Sequence, residues 1–310
     1  MQRAKKLIHY EEAQRLGIYG DNLNIAFLDS GIAPHPDLEG KVLAFHDFVN
    51  GRKKPYDDTG HGTHVCGIAT GTGMKSQGLY SGIAPHANII MAKVLNERAE
   101  GKSIHMIEAI EWLIELKEHL PVHILNISIA MKENCTPGNE NRIIQIVDKA
   151  WETGILVVCA TGNNGPFFMS LSPMAMSSKV ISVGCHDKGY VGKAGYSCEK
   201  YSGRGPSKYD IKKPDIVAPG TDIVSCSNQF MNKQFLTKNR GKGYYIAKNG
   251  TSMAAPMVSG AAALVMEYYH TKSNEDIKKR IVYSTDDLHE IWAKQGWGML
   301  NIKKLLNQIY

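Results

Sequence analysis

Two hydrophobic patterns alternate along this chain. Short continuous apolar runs end in Gly, Ser, Thr, Asp or Asn; between them lie longer stretches with apolar positions three and four apart. Asn24–Leu28 is such a run, closing on Asp29-Ser30-Gly31. Ala87–Leu95, His123–Ile129, Gly154–Ala160 and Val180–Val183 also read as strands. Continuous apolar runs of this length suit strands of a parallel sheet, buried on both faces. Ser103–Leu120 places Ile107, Ile110, Leu113, Ile114 and Leu116 on one side, with Pro121 ending the helix. Asn139–Trp151, about 273–283 and about 300–309 read as further helices. Two stretches of small residues, His61–Ala69 and Asn249–Tyr269, open as helices that can lie close against other backbone, and Pro256 is expected near the first turn of the second. Residues between Asp29 and Gly60 read as loop, and 226–247 as a basic surface excursion with a hairpin. The alternation predicts an α/β fold: a mostly parallel central β-sheet with helices on both faces. No linker or repeat splits it. Residues 1–22 are expected to be a partly helical lead-in, and 23–310 one domain.

Composition narrows the class without changing this picture. A hydrophobic fraction of 43% and a charged fraction of 21% are ordinary for a globular chain. The net charge of +6 is spread out; Lys208–Lys213 and Lys233–Lys242 read as solvated loops, and no nucleic-acid recognition motif accompanies them. No apolar run approaches the ~20 residues of a membrane span, and no signal-peptide core follows the basic start. Six cysteines show no Cys-x-x-Cys pair, so they are expected reduced and mostly buried, in a cytoplasmic protein. Cys66 reads as a buried thiol.

Ligand sites of a parallel sheet lie beyond the carboxyl ends of its strands. Asp29 and Asn163 follow strands there, and His61 and Ser252 begin helices. Singly, each has a plain explanation: a turn former, a helix-start histidine, a loop asparagine, an N-capping serine. Together they supply a carboxylate to orient a base, a base, a nucleophile at a helix N-terminus, and an amide donor for an oxyanion. Asp…His…Ser is one of the chain orders in which such triads occur.

Asp29-Ser30-Gly31, His61-Gly62-Thr63-His64-Val65, Gly162-Asn163 and Gly250-Thr251-Ser252-Met253-Ala254-Ala255-Pro256 resemble the four signature blocks of the subtilases, the subtilisin-like serine proteases. The resemblance extends to His35-Pro36-Asp37-Leu38, Gly82-Ile83-Ala84-Pro85, Ser202–Pro206 and Lys213–Gly220, and runs from about residue 20 to 301. In detail it is similar to the intracellular branch.

The resemblance implies a subtilisin-like fold and a serine endopeptidase. Asp29 would orient His61, His61 would be general base and acid, Ser252 the nucleophile, and Asn163 an oxyanion donor; His64 would be structural. The substrate would be a polypeptide lying as an extended strand between Gly101-Lys102-Ser103 and Ser128-Ile129-Ala130, with Ala160-Thr161-Gly162 as a further wall. Ala130 stands where the family often has glycine. No cofactor is required. Structural calcium is a family option: Asp37 matches one ligand, but Gly73–Leu79 carries no acidic residue. Oligomeric state is left open. Two rivals keep the same residues: a catalytically silent binding or regulatory module, separated by whether Ser252 takes a fluorophosphonate label, and an esterase or peptide ligase, separated by comparing substrates.

Overall fold

A computed structural model describes residues 1–129, 137–208, 211–229 and 242–307. The expected strands form, and with two others they build one sheet: β1 (Asn24–Asp29), β2 (Val42–Asp47), β3 (Asn88–Lys93), β4 (Ile124–Ile127), β5 (Leu156–Ala160), β6 (Ile181–Cys185) and β7 (Ile216–Ala218). Their order is β2-β3-β1-β4-β5-β6-β7, and every pairing is parallel. β1, β4, β5 and β6 are buried along their whole length; the polar residues inside β4 and β6 are satisfied there, Asn126 by Ser128 and Ser259, and Ser182 by Asp215. β8 (Ile223–Cys226) and β9 (Tyr245–Lys248) pair antiparallel as a separate hairpin. The tip of the expected basic excursion, 230–241, lies outside the described residues, and with it most of the Lys233–Lys242 patch.

Helices cover the sheet in two packed pairs. α1 (Gln2–Leu7), α2 (Glu11–Leu16), α3 (His61–Thr70), α4 (Ser103–Leu116), α5 (Pro137–Glu152) and α6 (Thr251–Tyr269) come first. α7 (Asn274–Tyr283), α8 (Trp292–Gln295) and α9 (Ile302–Leu306) complete the chain. α3 packs on α6, and α4 on α5. α6 is buried from Met253 to Met266 and also lies against β4, β5, β6 and β7. Its small residues permit the close approach: a methyl group on Gly260 would sit 2.6 Å from the Ile83 side chain. The lead-in is part of the same core. Ala4, Ile8, Tyr10 and Ala13 are buried, α2 packs on α9, and Ile302 N–H donates to Ile8 C=O at 2.8 Å. Among the described residues no helix is long and apolar enough to cross a membrane.

Four expectations need correction. The stretch to Gly60 is not all loop: β2 forms the sheet edge, where only Asp47 is buried and the apolar pattern is weak. Pro256 lies in the second turn of α6, not the first. It therefore removes the ladder bond that would otherwise reach the carbonyl of Ser252. Lys213 is not a solvated loop lysine. Its ammonium is fully buried, donating to Asp215 Oδ2 at 2.6 Å and Val180 C=O at 3.1 Å. Finally, the cysteines are not all reduced. Cys185 and Cys198 form a disulfide with Cα atoms 5.4 Å apart, because the turn at 198–200 folds back on the end of β6. Cys66, Cys159 and Cys226 are free and buried.

Candidate active site

β1 lies where the strand order reverses, between β3 and β4. A crevice beyond the strand ends is expected at such a switch point. Asp29, the last residue of β1, is fully buried there. Its Oδ1 accepts from Ser30 N–H at 2.7 Å and from His61 Nδ1 at 2.7 Å. A carboxylate only accepts, so the imidazole proton sits on Nδ1 and Nε2 keeps a free lone pair. His61 is the first residue of α3 and remains partly exposed. The close approach of the two segments depends on Gly62: a Cβ there would lie 2.1 Å from Gly31 C=O.

The loop before α3 is organised by Asp57, a residue the sequence pattern did not single out. Its Oδ1 accepts from Ser30 Oγ (2.8 Å), Gly60 N–H (2.9 Å) and Thr59 N–H (3.2 Å). Its Oδ2 accepts from Thr63 N–H (2.8 Å) and Thr63 Oγ1 (2.6 Å). Gly60 stands at the N-cap with no side chain to offer, and the carboxylate three residues earlier satisfies the orphan donors instead. An acidic residue just ahead of a helix start was the available signal. Lys93 is a second missed support. Fully buried at the end of β3, it donates to Ser30 C=O (2.6 Å) and Leu95 C=O (2.7 Å) and pairs with Asp58 (2.9 Å).

Ser252 is the second residue of α6 and is partly exposed. Gly250 precedes the helix at φ 142°, a conformation that favours glycine, and its N–H donates to Gly220 C=O at 3.0 Å. Asn163 reaches across from the end of β5. Its Oδ1 accepts from Thr251 N–H (3.0 Å) and Thr251 Oγ1 (3.1 Å), which leaves both Nδ2 protons to donate elsewhere. Lys248, at the end of β9, donates to Gly60 C=O at 3.1 Å, tying the approach to α6 to the start of α3. Burial lowers its pKa, partly opposed by Asp57 and Asp29.

His64, one turn along from His61, is buried, and Nε2 meets Ile223 C=O (2.9 Å) and Ile246 C=O (3.1 Å). Burial first, then Lys248 and His61, pull its pKa down to about 3, so it is a neutral donor. Cys66 is also buried, and burial with Asp29 and Asp57 nearby drives its thiol pKa well upward, which makes it inert.

The expected substrate walls are mostly backbone. Gly101 is exposed and bridges to Leu95, and Ser103 begins α4. Ser128 is buried, its Oγ accepting from Asn126 Nδ2 (2.8 Å), and Ile129 is buried beside it. Ala130 lies outside the described residues. Ala160, Thr161 and Gly162 are buried: Ser172 bonds the carbonyls of Ala160 and Thr161, and Gly203 N–H that of Gly162.

The residues around Asp37 do not fit calcium. Asp37 Oδ1 accepts from Lys75 N–H (3.0 Å) and Oδ2 from Tyr245 OH (2.6 Å). The neighbouring side chains that could ligate are His35 and Cys226, not the oxygens calcium requires.

The chain is thus an α/β protein with a seven-stranded parallel sheet, a histidine–carboxylate pair at its switch point, and a serine at the start of the helix that packs on α3. A sequence profile of the Subtilase family matches residues 20–298, and the chain belongs to that family. It is 36% identical to Serine protease AprX of Bacillus subtilis (strain 168) over 294 residues, covering 91% of this chain and 66% of that protein. The chain thus spans just under two thirds of that relative's length. With Subtilisin DY of Bacillus licheniformis it shares 29% identity over 300 residues, covering 96% of this chain and 95% of the relative. Among solved structures, a cold adapted subtilisin-like serine proteinase matches with a TM-score of 0.71 at 20% identity, over 92% of this chain and 90% of that one. That likeness bears on the fold.

Proposed function

We propose that the chain is a serine endopeptidase in which Asp29, His61 and Ser252 act as a triad and Asn163 serves the oxyanion. The observation that carries this is the 2.7 Å hydrogen bond from His61 Nδ1 to Asp29, which presents Nε2 as a base. Ser252 Oγ attacks the peptide carbonyl carbon and its proton passes to His61 Nε2. The carbonyl oxygen becomes an oxyanion, met by Asn163 Nδ2 and the Ser252 N–H at the positive end of α6. Collapse expels the amine, protonated by His61, and leaves an acyl-enzyme that water clears by the same steps. Buried Asp29 stabilises the imidazolium. The polypeptide adds as a strand between Gly101–Ser103 and Ser128–Ile129, so recognition is largely main-chain. No cofactor enters, and the Asp37 site is served by protein donors.

As to location, the free buried thiols of Cys66, Cys159 and Cys226 suit the cytoplasm, whereas the Cys185–Cys198 bond counts against a fully reducing setting. Fractionation of producing cells decides between them. The test of the chemistry is fluorophosphonate labelling with peptide mapping, alongside kcat on a peptide substrate. The label should fall on Ser252, and Ser252→Ala should remove activity. Asn163→Leu should leave a trace, a loss of about 10²–10³-fold, as a subtilisin shows for its equivalent donor. Equal residual rates in the two variants would contradict these roles.

A further inference from the structure

The mechanism above makes no use of the disulfide, yet the disulfide touches the backbone on which the nucleophile stands. Cys185 ends β6, and Cys198 opens a surface turn whose next two residues, Glu199 and Lys200, are exposed. Both cysteines are buried. Gly220 packs against them: a Cβ on Gly220 would lie 2.5 Å from Cys185 Sγ and 2.6 Å from Gly250 C=O. Sulfur, Gly220 and Gly250 meet there with no room for even a methyl group. Gly220 C=O accepts from Gly250 N–H at 3.0 Å, and Asp222 N–H donates to Asn249 Oδ1 at 2.6 Å. Residues 220–222 thus hold Asn249 and Gly250, which lead into Thr251 and Ser252. Tyr201 joins the two sets. Its hydroxyl lies 3.5 Å from each sulfur, 3.4 Å from Gly220 C=O and 3.3 Å from Thr221 Oγ1. Asp187 supplies a second observation. Its buried carboxylate accepts from Arg3 Nη2 (2.6 Å) and Thr221 N–H (3.0 Å), and its Oδ2 lies 2.8 Å from Cys198 Sγ and 3.7 Å from Cys185 Sγ. Bonded sulfurs have no proton to give that oxygen; a Cys198 thiol has one. Reduction therefore gains a hydrogen bond to a buried carboxylate, and these surroundings favour the dithiol.

We propose that Cys185–Cys198 is a thiol–disulfide exchange site whose state controls the nucleophile: bonded, it holds Ser252 in its working position, and reduced by a dithiol it slows the enzyme. This rests on the endopeptidase reading. A thiolate of the dithiol attacks Cys198 Sγ, which comes to solvent when the turn at 198–200 opens, and Cys185 leaves as a thiolate that takes up a proton. The second thiol of the reductant attacks the mixed disulfide and releases Cys198 as a thiol. The dithiol loses two electrons and two protons, and the protein gains both. Unbonded sulfurs cannot stand as close as bonded ones, and Gly220 leaves Cys185 no space. The sulfurs part either by pushing Gly220 aside or by moving the turn that carries Tyr201. Both routes shift residues 220–222, and with them the start of α6.

The test equilibrates the whole chain with reduced and oxidised dithiothreitol in a series of ratios. Alkylation with peptide mapping gives the fraction of Cys185 and Cys198 reduced, fluorophosphonate labelling gives the rate at Ser252, and hydrogen exchange gives the protection of amides 249–253. On reduction the labelling rate should fall about 10- to 100-fold, in step with the reduced fraction, and return on reoxidation. Exchange at the Gly250 N–H should quicken while the amides of β1 and β4 stay unchanged. A Cys185→Ala/Cys198→Ala protein should label at one rate with or without the dithiol. A pair that stays oxidised in excess dithiol while the chain is folded, or a labelling rate that ignores the reduced fraction, overturns the proposal. So does equal quickening in β1 and β4, which would make the bond a general staple. A double variant that still responds also overturns it and assigns the effect to Cys66, Cys159 or Cys226. If the oxidised chain never labels, it is the endopeptidase reading that has failed, and exchange at Gly250 alone decides the coupling.

Discussion

Asp57→Ala tests how the base is held in place. The Asp57 carboxylate accepts five hydrogen bonds, from Ser30, Thr59, Gly60 and Thr63, and none from His61. Removing it frees three backbone N–H groups at the start of the helix whose first residue is His61. Loss of a cap costs about 0.5–2 kcal/mol, and a buried donor left unsatisfied about 1–3 kcal/mol. Asp57 is only half-buried, so water replaces part of this, and about 2–3 kcal/mol is the expected loss of stability. The effect on rate comes through position: a displacement of about 1 Å at a reacting group can cost about 10²-fold. Asp57→Asn is the sharper perturbation. Every donor faces an oxygen, on both sides of the carboxylate, so an amide must turn its NH₂ against one set. The asparagine variant should therefore resemble alanine rather than the parent. Urea unfolding gives the stability, and kcat/KM with the labelling rate at Ser252 gives the position. An Asp57→Asn protein within about 0.5 kcal/mol of the parent, and labelling as fast, would refute the reasoning.

Other perturbations follow from the same geometry. His64 is kept neutral by burial with its pKa near 3, below the ordinary value of 6.5. Below that ordinary value the unfolded chain gains a proton the folded chain refuses, so this contribution is intact above about pH 6.5 and is lost as pH falls toward 3. Unfolding curves across pH 7 to 4 should show it, by on the order of 3–4 kcal/mol at the acid end, and a His64→Gln protein should have a shallower slope. Lys213→Met strands Asp215 in the interior with Lys278 as its remaining cation, which should cost about 3 kcal/mol in urea unfolding with little change in kcat. An unchanged midpoint would show that the pair contributes nothing net. Chelator should move the thermal midpoint by less than about 1 °C, since protein donors serve Asp37; a larger drop restored by calcium would show a cation site.

The parts legible in the sequence were those set by local pattern. β5 is an unbroken apolar run, and β1 one from Ile25 to Leu28, because central parallel strands are buried on both faces. The four candidate residues announced themselves by small-residue company at strand ends and helix starts. What stayed hidden depends on partners far along the chain. β2 is an edge strand and need not alternate clearly. Lys213 looks like any loop lysine until Asp215 and Val180 C=O close around it. Cys185 and Cys198 meet only because β6 and a turn 13 residues later come together. Asp57 hides among the polar residues of a loop, and its partners span Ser30 to Thr63.

The bond from Asn163 to Thr251 has a mechanical consequence. The amide is fastened to the residue beside Ser252, not to a separate part of the scaffold. Asn163 is carried by the segment after β5, so its two bonds to Thr251 clamp that segment to the first turn of α6 and hold the amide at a set distance from Ser252.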